Sequence, residues 1–329
     1  SNMELLKMIS TDDFTTMSYL VTKLFMNIRG LDFQNAEKSD ILHETKTKVT
    51  KFSTIKVSGF IGKDGDTFCF NNYIICNGMM ENWLNEIFKI MKSSMKESLS
   101  SSIARIASSS LSDWIITVPS YIAILTLHIS FARDIDECFT NFENNARAFS
   151  NYEMQLTEKF KSLKVALANP NDHYELLKIS NILTLLNYQI SSIQKLSGTY
   201  QHYSQKENWD HHLRVLHDVK TNSVKIVFNG MSIESGYEFY GSTKQMIITP
   251  AAEQSLLNIL THMKNNKIPY IYGNRGKKHL LSTLASIFGQ FLYIVPSFIS
   301  NEMLYSRFFT ATASCGSWIC FEGLEKQNQ

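Results

Sequence analysis

The sequence has little that interrupts a chain, with 5 prolines and 14 glycines in 329 residues. Proline removes a backbone donor and glycine loosens the backbone, so their scarcity predicts long elements, mostly helices. Cysteines are few, odd in number and scattered: Cys69, Cys76, Cys138, Cys315 and Cys320, with no C-x-x-C pair. That argues against a disulfide framework or a cysteine metal site and predicts a reduced, intracellular setting. Charge of one sign is also lacking, since 32 basic against 30 acidic residues give a formal net charge of +2. No nucleic-acid partner is expected from such a balance. The opening SNMELLKMIS lacks a basic n-region and an apolar h-region, so no signal peptide is expected. The one long uncharged run is Trp114–Ala132, nineteen residues between Asp113 and Arg133. It approaches the length of a bilayer span but carries Thr117, Pro119, Ser120, Thr126, His128 and Ser130. A buried helix started by Pro119 is the better reading, with no membrane partner.

What is present is an ordinary globular balance, 44% hydrophobic and 19% charged. The length suits roughly two domains at ~100–200 residues each. With 21 Phe and 14 Tyr, extensive buried or interface surface is expected. Residues Ser1 to Phe33 read as helical, through Leu5, Leu6, Ile9, Leu20, Leu24, Phe25 and Ile28; the polar stretch Asn35–Thr50 reads as a loop. Thr54–Tyr73 alternates (Ile55, Val57, Phe60, Phe68, Phe70) around GKDGD, the pattern of a β-hairpin. Trp83, Ile87, Met91, Met95, Leu99 and Ile103 recur every four residues and predict one long helix. Of the serine clusters, Ser100–Ser102 and Ser108–Ser110, one is expected on a solvated face and the other at a helix end.

From Ser120 to Leu216 the pattern is helical, broken near Asn169–Asp172. The character then changes. Val224–Phe228 and Tyr237–Tyr240 read as short strands around a glycine turn, Gln245–Thr249 follows, and a helix runs from Pro250 toward Met263. Ile268–Tyr272, a glycine-punctuated turn, the periodic run His279–Phe288 and the apolar run Phe291–Val295 then make a βαβ unit. A phosphate would sit at the start of such a helix. The expected architecture is mainly α, a helical region with a β-hairpin over residues 1–217. A partial α/β domain with parallel strands, Ile268–Tyr272, Phe291–Val295 and Trp318–Phe321, occupies residues 218–329.

Several segments resemble the dynein heavy chains. NNYIICNGMMENWLNEIFKIMKSSM and WIITVPSYIAILTLHISFARDIDECF resemble helices of the dynein linker, and SNMELLKMIS resembles the linker's S-N-D-E-L-L-x-I-L. GYEFYGSTKQMIITPAAEQ resembles the G-Y-E-Y-x-G…V-I-T-P-L-T-D signature that opens the first AAA+ module. SCGSWICFEGLEKQ resembles the S-G-A-W-G-C-F-D-E-F-N segment that holds that module's Walker B strip. Order and spacing agree over essentially the whole chain, and an axonemal type fits best. The resemblance implies the later linker plus the first half of the first AAA+ module of an ATP-driven, minus-end-directed microtubule motor of cilia. It implies the rest of the AAA+ ring and other dynein subunits as partners, microtubules only through regions this sequence does not contain, and a place in the cytoskeleton of the ciliary axoneme.

Within that resemblance the phosphate loop departs from GxxxxGK[ST], whose glycines let N–H groups wrap phosphates while the lysine and hydroxyl hold charge and Mg²⁺. Gly273 keeps the first glycine, Asn274 and Arg275 follow, and Gly276 matches an extra glycine of the family's GPAGTGKT. After Lys277, Lys278 takes the second motif glycine, His279 the lysine and Leu280 the Mg²⁺-binding hydroxyl. A histidine, with a reference pKa of about 6.5, is mostly neutral at pH 7. In the second strip Glu322 replaces the Asp and Gly323 the water-activating Glu. No catalytic residue is therefore expected. ATP or ADP remains a weakly bound candidate, with Arg275, Lys277 and Lys278 either attracting an anion to the helix start or forming a solvated basic turn. Ile248, Thr249 and Pro250, in IITP, match the family's adenine-side strip or are simply a strand-to-helix junction. His202, His211, His212 and His217 lack cysteine or carboxylate partners at ligand spacing, so no metal is expected.

The readings left open are a structural or regulatory dynein piece, a nucleotide-binding half-module completed by a full-length chain, and a helical interaction scaffold.

Overall fold

The computed structural model describes residues 21–34, 56–76, 80–141, 147–167, 170, 172–197, 202–242, 244–273, 275–296 and 302–323. The expected helix before residue 21 and the loop Asn35–Thr50 lie outside them.

Two runs rich in apolar residues and joined by a Gly-containing turn form the hairpin: β2 (Lys56–Gly62) pairs antiparallel with β3 (Thr67–Ile75) through Phe60↔Phe68 and Gly59↔Cys69. A third strand, β1 (Ile28–Gln34), joins the other edge of β2. This corrects the helical reading of Ile28–Phe33. Asn27 has φ 52, which breaks the local chain direction, and pairing with β2 then decides the conformation over a pattern that suits either element.

The four-residue stripe behaves as predicted. In α1 (Met80–Ile106), Trp83, Ile87, Met91, Met95 and Leu99 are all at most 2% exposed, and the helix lies against β3. Ser94, on the same helix, accepts the Asn71 N–H at 3.0 Å. Ser101 is exposed, but Ser102 is buried and its hydroxyl accepts from Thr126 at 3.0 Å, so that cluster is not wholly a solvated face. The other cluster does end a helix and start the next. Ser110 caps α2 (Leu111–Thr117), accepting the Asp113 N–H at 3.2 Å.

Pro119 then starts α3 (Ser120–Asn141): its carbonyl receives the Ala123 N–H at 2.9 Å. One free N–H of that helix start, from Ser120, goes to Asp66 Oδ2 at 3.0 Å, and Tyr174 donates to the other oxygen at 2.5 Å. The turn of the hairpin thus caps the central helix. No helix among the described residues is long and apolar enough to cross a membrane.

The remaining body is α4 (Ala148–Ala166), α5 (His173–Ser197) and α6 (His202–Asp210). The helical reading up to Leu216 ends too late. Arg214–Leu216 belongs to β4 (Arg214–Asp218), which pairs antiparallel with β5 (Ser223–Phe228), and β5 with β6 (Met231–Glu234). Pairing with β5 along all five residues, and not a period in the sequence, decides the conformation here.

Tyr237–Tyr240 is not a strand. Tyr237 (φ 57) and Gly241 (φ 61) are left-handed, which a strand cannot absorb. Gln245–Thr249 is likewise irregular, and α7 (Pro250–Lys264) follows with Thr249 as its cap. After it, Ile268–Tyr272 does not pair with any strand among the described residues. Ile268 is 94% and Tyr272 90% exposed, and Pro269 brings no N–H to a ladder. The expected three-stranded parallel sheet is therefore two-stranded. It consists of β7 (Leu292–Val295) and β8 (Trp318–Phe321), in register Leu292↔Trp318 and joined by the crossover helix α9 (Glu302–Cys315). The helix of the unit, α8 (Lys277–Phe288), is present as read.

Two apolar cores hold these parts. The larger runs from Val21 and the hairpin through α1–α6 to Ala285, Ile287 and Leu292. The smaller joins Ile226 and Phe228 of β5 to α7 and to Leu280, Leu284 and Phe288 of α8. Helix α8 is common to both.

Candidate functional site

The loop between Tyr272 and α8 takes its shape from two glycines. Gly276, the residue before the helix, has φ 87, and Gly273 has φ 146. A Cβ at either would meet nothing within 4 Å, so the requirement is backbone conformation and not space. Asn274 lies outside the described residues. Helix α8 opens with no side-chain cap, leaving its positive end available.

The three cations of the loop do different things. Arg275 is exposed. Lys277 folds back so that its ammonium donates to the Gly273 carbonyl and spans the loop it belongs to. Lys278 reaches β8, where its Nζ lies 2.9 Å from Glu322 Oε2. Glu322 extends the β7–β8 ladder by one residue, its N–H bonding to the Val295 carbonyl at 2.9 Å. Gly323 then turns away at φ 60. The structure therefore brings Lys278 and Glu322 together, a contact across 44 positions.

The residues in the places of lysine and hydroxyl do not join them. His279 is exposed, and its carbonyl receives the Thr283 hydroxyl at 2.9 Å. Leu280 is 5% exposed and packs in the smaller core with Leu284 and Phe288. An apolar side chain there offers no oxygen to a metal. Among the described residues no group of three His, Cys, Asp or Glu side chains is placed to hold an ion.

Ile248, Thr249 and Pro250 lie at the start of α7. The Thr249 hydroxyl accepts the Ala252 N–H at 3.3 Å, and Pro250 occupies the first turn, where its missing N–H costs nothing. Ile248 borders a largely apolar space of about 50 Å³, lined also by Leu256, Leu257 and Leu260 of α7. Of the histidine group, His212 Nδ1 bonds the Asn208 carbonyl at 2.8 Å and His217 Nε2 meets Asn222 at 2.9 Å. Both contacts are structural.

One residue that sequence reasoning passed over is Glu253, in the first turn of α7. It takes the Tyr188 hydroxyl at 3.2 Å and the Lys195 ammonium at 2.5 Å, with His212 3.9 Å away, so it ties α7 to α5 and to the turn after α6. Its place in a helix first turn was the available signal.

Comparisons with known proteins agree with this layout. Residues 1–102 match the family model described as dynein heavy chain, N-terminal region 2, and residues 235–328 the one described as the hydrolytic ATP binding site of the dynein motor region. Human dynein axonemal heavy chain 6 is 21% identical over 83% of this chain, and the ciliary dynein beta chain of Heliocidaris crassispina is 20% identical over 98%. The cytoplasmic dynein heavy chain of Dictyostelium discoideum is 23% identical over 81%. The chain spans about 7% of the length of the first two and 6% of the third. By segment order, by both family models and by these relatives, the chain belongs to the dynein heavy chain family.

Proposed function

We propose that this chain serves a dynein motor as linker-like architecture, residues 1–217, joined to a first AAA+ half-module, residues 218–329, that does not hydrolyse ATP. One observation carries the reading. The only carboxylate retained in the second strip, Glu322, is engaged by Lys278, while Gly323 has no side chain to orient water. Leu280, in the place of the Mg²⁺-binding hydroxyl, is buried and offers no oxygen to a metal. Phosphoryl transfer depends on positioning and charge stabilisation, and this arrangement provides neither a metal ligand nor a water-directing group. The proposed role is structural or regulatory, in the cytoskeleton of a cilium, since several relatives are named axonemal or ciliary. Its partners are the remaining AAA+ modules and other dynein subunits.

A second reading keeps nucleotide binding without hydrolysis. Arg275 and the uncapped start of α8 favour an anion, and a full-length chain would complete the module. Titration with a fluorescent ATP analogue separates the two. The architectural reading expects no saturable Mg²⁺-dependent binding in the micromolar range and no phosphate release. Micromolar Mg²⁺-dependent affinity would overturn it. Restoring the motif by His279→Lys with Leu280→Thr is expected to lower stability by about 2–4 kcal/mol, because a core leucine is lost, and to yield no turnover.

A further inference from the structure

A second concavity lies on another face of α8. It is a cleft of about 490 Å³ between α8, α5, Asn27 with Asp64 of the hairpin layer, and the irregular stretch after Tyr240. Residues 273–278, Glu322 and Ile248–Pro250 do not line it. His279, at the family's lysine position, does.

The chemistry of its walls is divided. On α8, Thr283 donates its hydroxyl hydrogen to the His279 carbonyl at 2.9 Å and Ser286 donates to the Thr283 carbonyl at 2.7 Å. Their hydrogens are committed, and their lone pairs remain for a ligand donor. Asp64 adds a carboxylate that, among the described residues, receives one long contact, 3.3 Å from Asn27 Nδ2. Lys244 supplies a cation, and Gln245 and His279 supply N–H donors. Ser242 is 1% exposed, and its hydroxyl, next to that of Tyr174, completes no hydrogen bond of normal geometry. A buried hydroxyl left so is costly and marks a place where a ligand group is expected.

We propose that this cleft binds a small phosphorylated polyol, with its phosphate at Lys244 and His279 and its hydroxyls at Asp64 and the Thr283–Ser286 face. The acceptors require O–H donors from the ligand, and the Lys244 ammonium requires an anion. The volume exceeds what an inorganic phosphate fills. This inference does not rest on the reading of the loop.

Isothermal titration of the 329-residue chain with ribose 5-phosphate is the test. Saturable binding is expected, at least about tenfold tighter than for inorganic phosphate or for ribose alone. The exposed substitution Lys244→Ala is expected to weaken it about tenfold, and Lys278→Met to leave it unchanged. Melting curves of both variants establish that they fold, and Ser282→Ala supplies a second mild probe of the α8 wall. Absence of saturation would overturn the proposal. Equal affinity for inorganic phosphate would do so too, as would binding that fails with Lys278→Met and survives Lys244→Ala.

Discussion

The hydroxyl of Tyr121 donates to the main-chain carbonyl of Ser286 at 2.7 Å, joining α3 to the last turn of α8 across 165 positions. The same carbonyl also takes the Gly289 N–H at 3.1 Å. Tyr121→Phe therefore removes one bond without orphaning its acceptor. The expected loss is about 1 kcal/mol, read as a lower urea midpoint with an unchanged slope. No loss would mean that the bond does not couple the helical body to α8.

Glu238 is 3% exposed, and burial pushes its carboxyl from the ordinary 4.5 up to about 7, opposed by the Met26 N–H and by Lys92. The Tyr121 and Tyr240 rings share its surroundings. Because the folded-state value is raised, the folded protein holds the proton more tightly. The group's contribution is complete below about pH 4.5 and is lost as pH rises through about 7. Glu238→Gln keeps an acceptor for Met26 and removes the ionisation. It should flatten the stability profile over that window and raise stability above it by about 3 kcal/mol, in order of magnitude. A profile that keeps its slope in the variant would assign the effect to another group.

Gly236 and Gly289 meet back to back. A Cβ on Gly236 would lie 2.4 Å from the Gly289 carbonyl oxygen, which is backbone and cannot swing aside. Gly236→Ala is expected to cost about 3 kcal/mol or more. Soluble yield and thermal melting read this directly, and an unshifted melting point would mean that the Gly236–Tyr240 strap can move off α8.

Much of this fold was legible because single elements carried their own signal. The spacing Trp83, Ile87, Met91, Met95, Leu99 can only bury as a helix, and GKDGD between alternating runs can only close a hairpin. The misread stretches share a different property. Ile28–Phe33, Arg214–Leu216, Tyr237–Tyr240 and Ile268–Tyr272 are short apolar runs whose state depends on what they meet. β2 recruits the first, β5 the second and the end of α8 the third, while the fourth pairs with no strand among the described residues. At the candidate site, residue identities revealed the missing lysine, hydroxyl and carboxylate. They gave no hint that Lys278 would reach Glu322, or that His279 would border a separate cleft. Those facts depend on helix rotation and on the β7–β8 pairing, which residue types do not encode locally.

The strap over the end of α8 has one more consequence. Gly236 and Glu238 donate N–H groups to the carbonyls of Phe288 and Gly289, and Tyr240 donates its hydroxyl to that of Gln290. What is recognised is carbonyl oxygen, which every residue supplies whatever its side chain. The helix is moored by a part of itself that most substitutions do not touch, while its chemically demanding residues sit at the far end. A 12-residue helix held in this way can exchange a lysine for a histidine, or a hydroxyl for a leucine, and keep its berth.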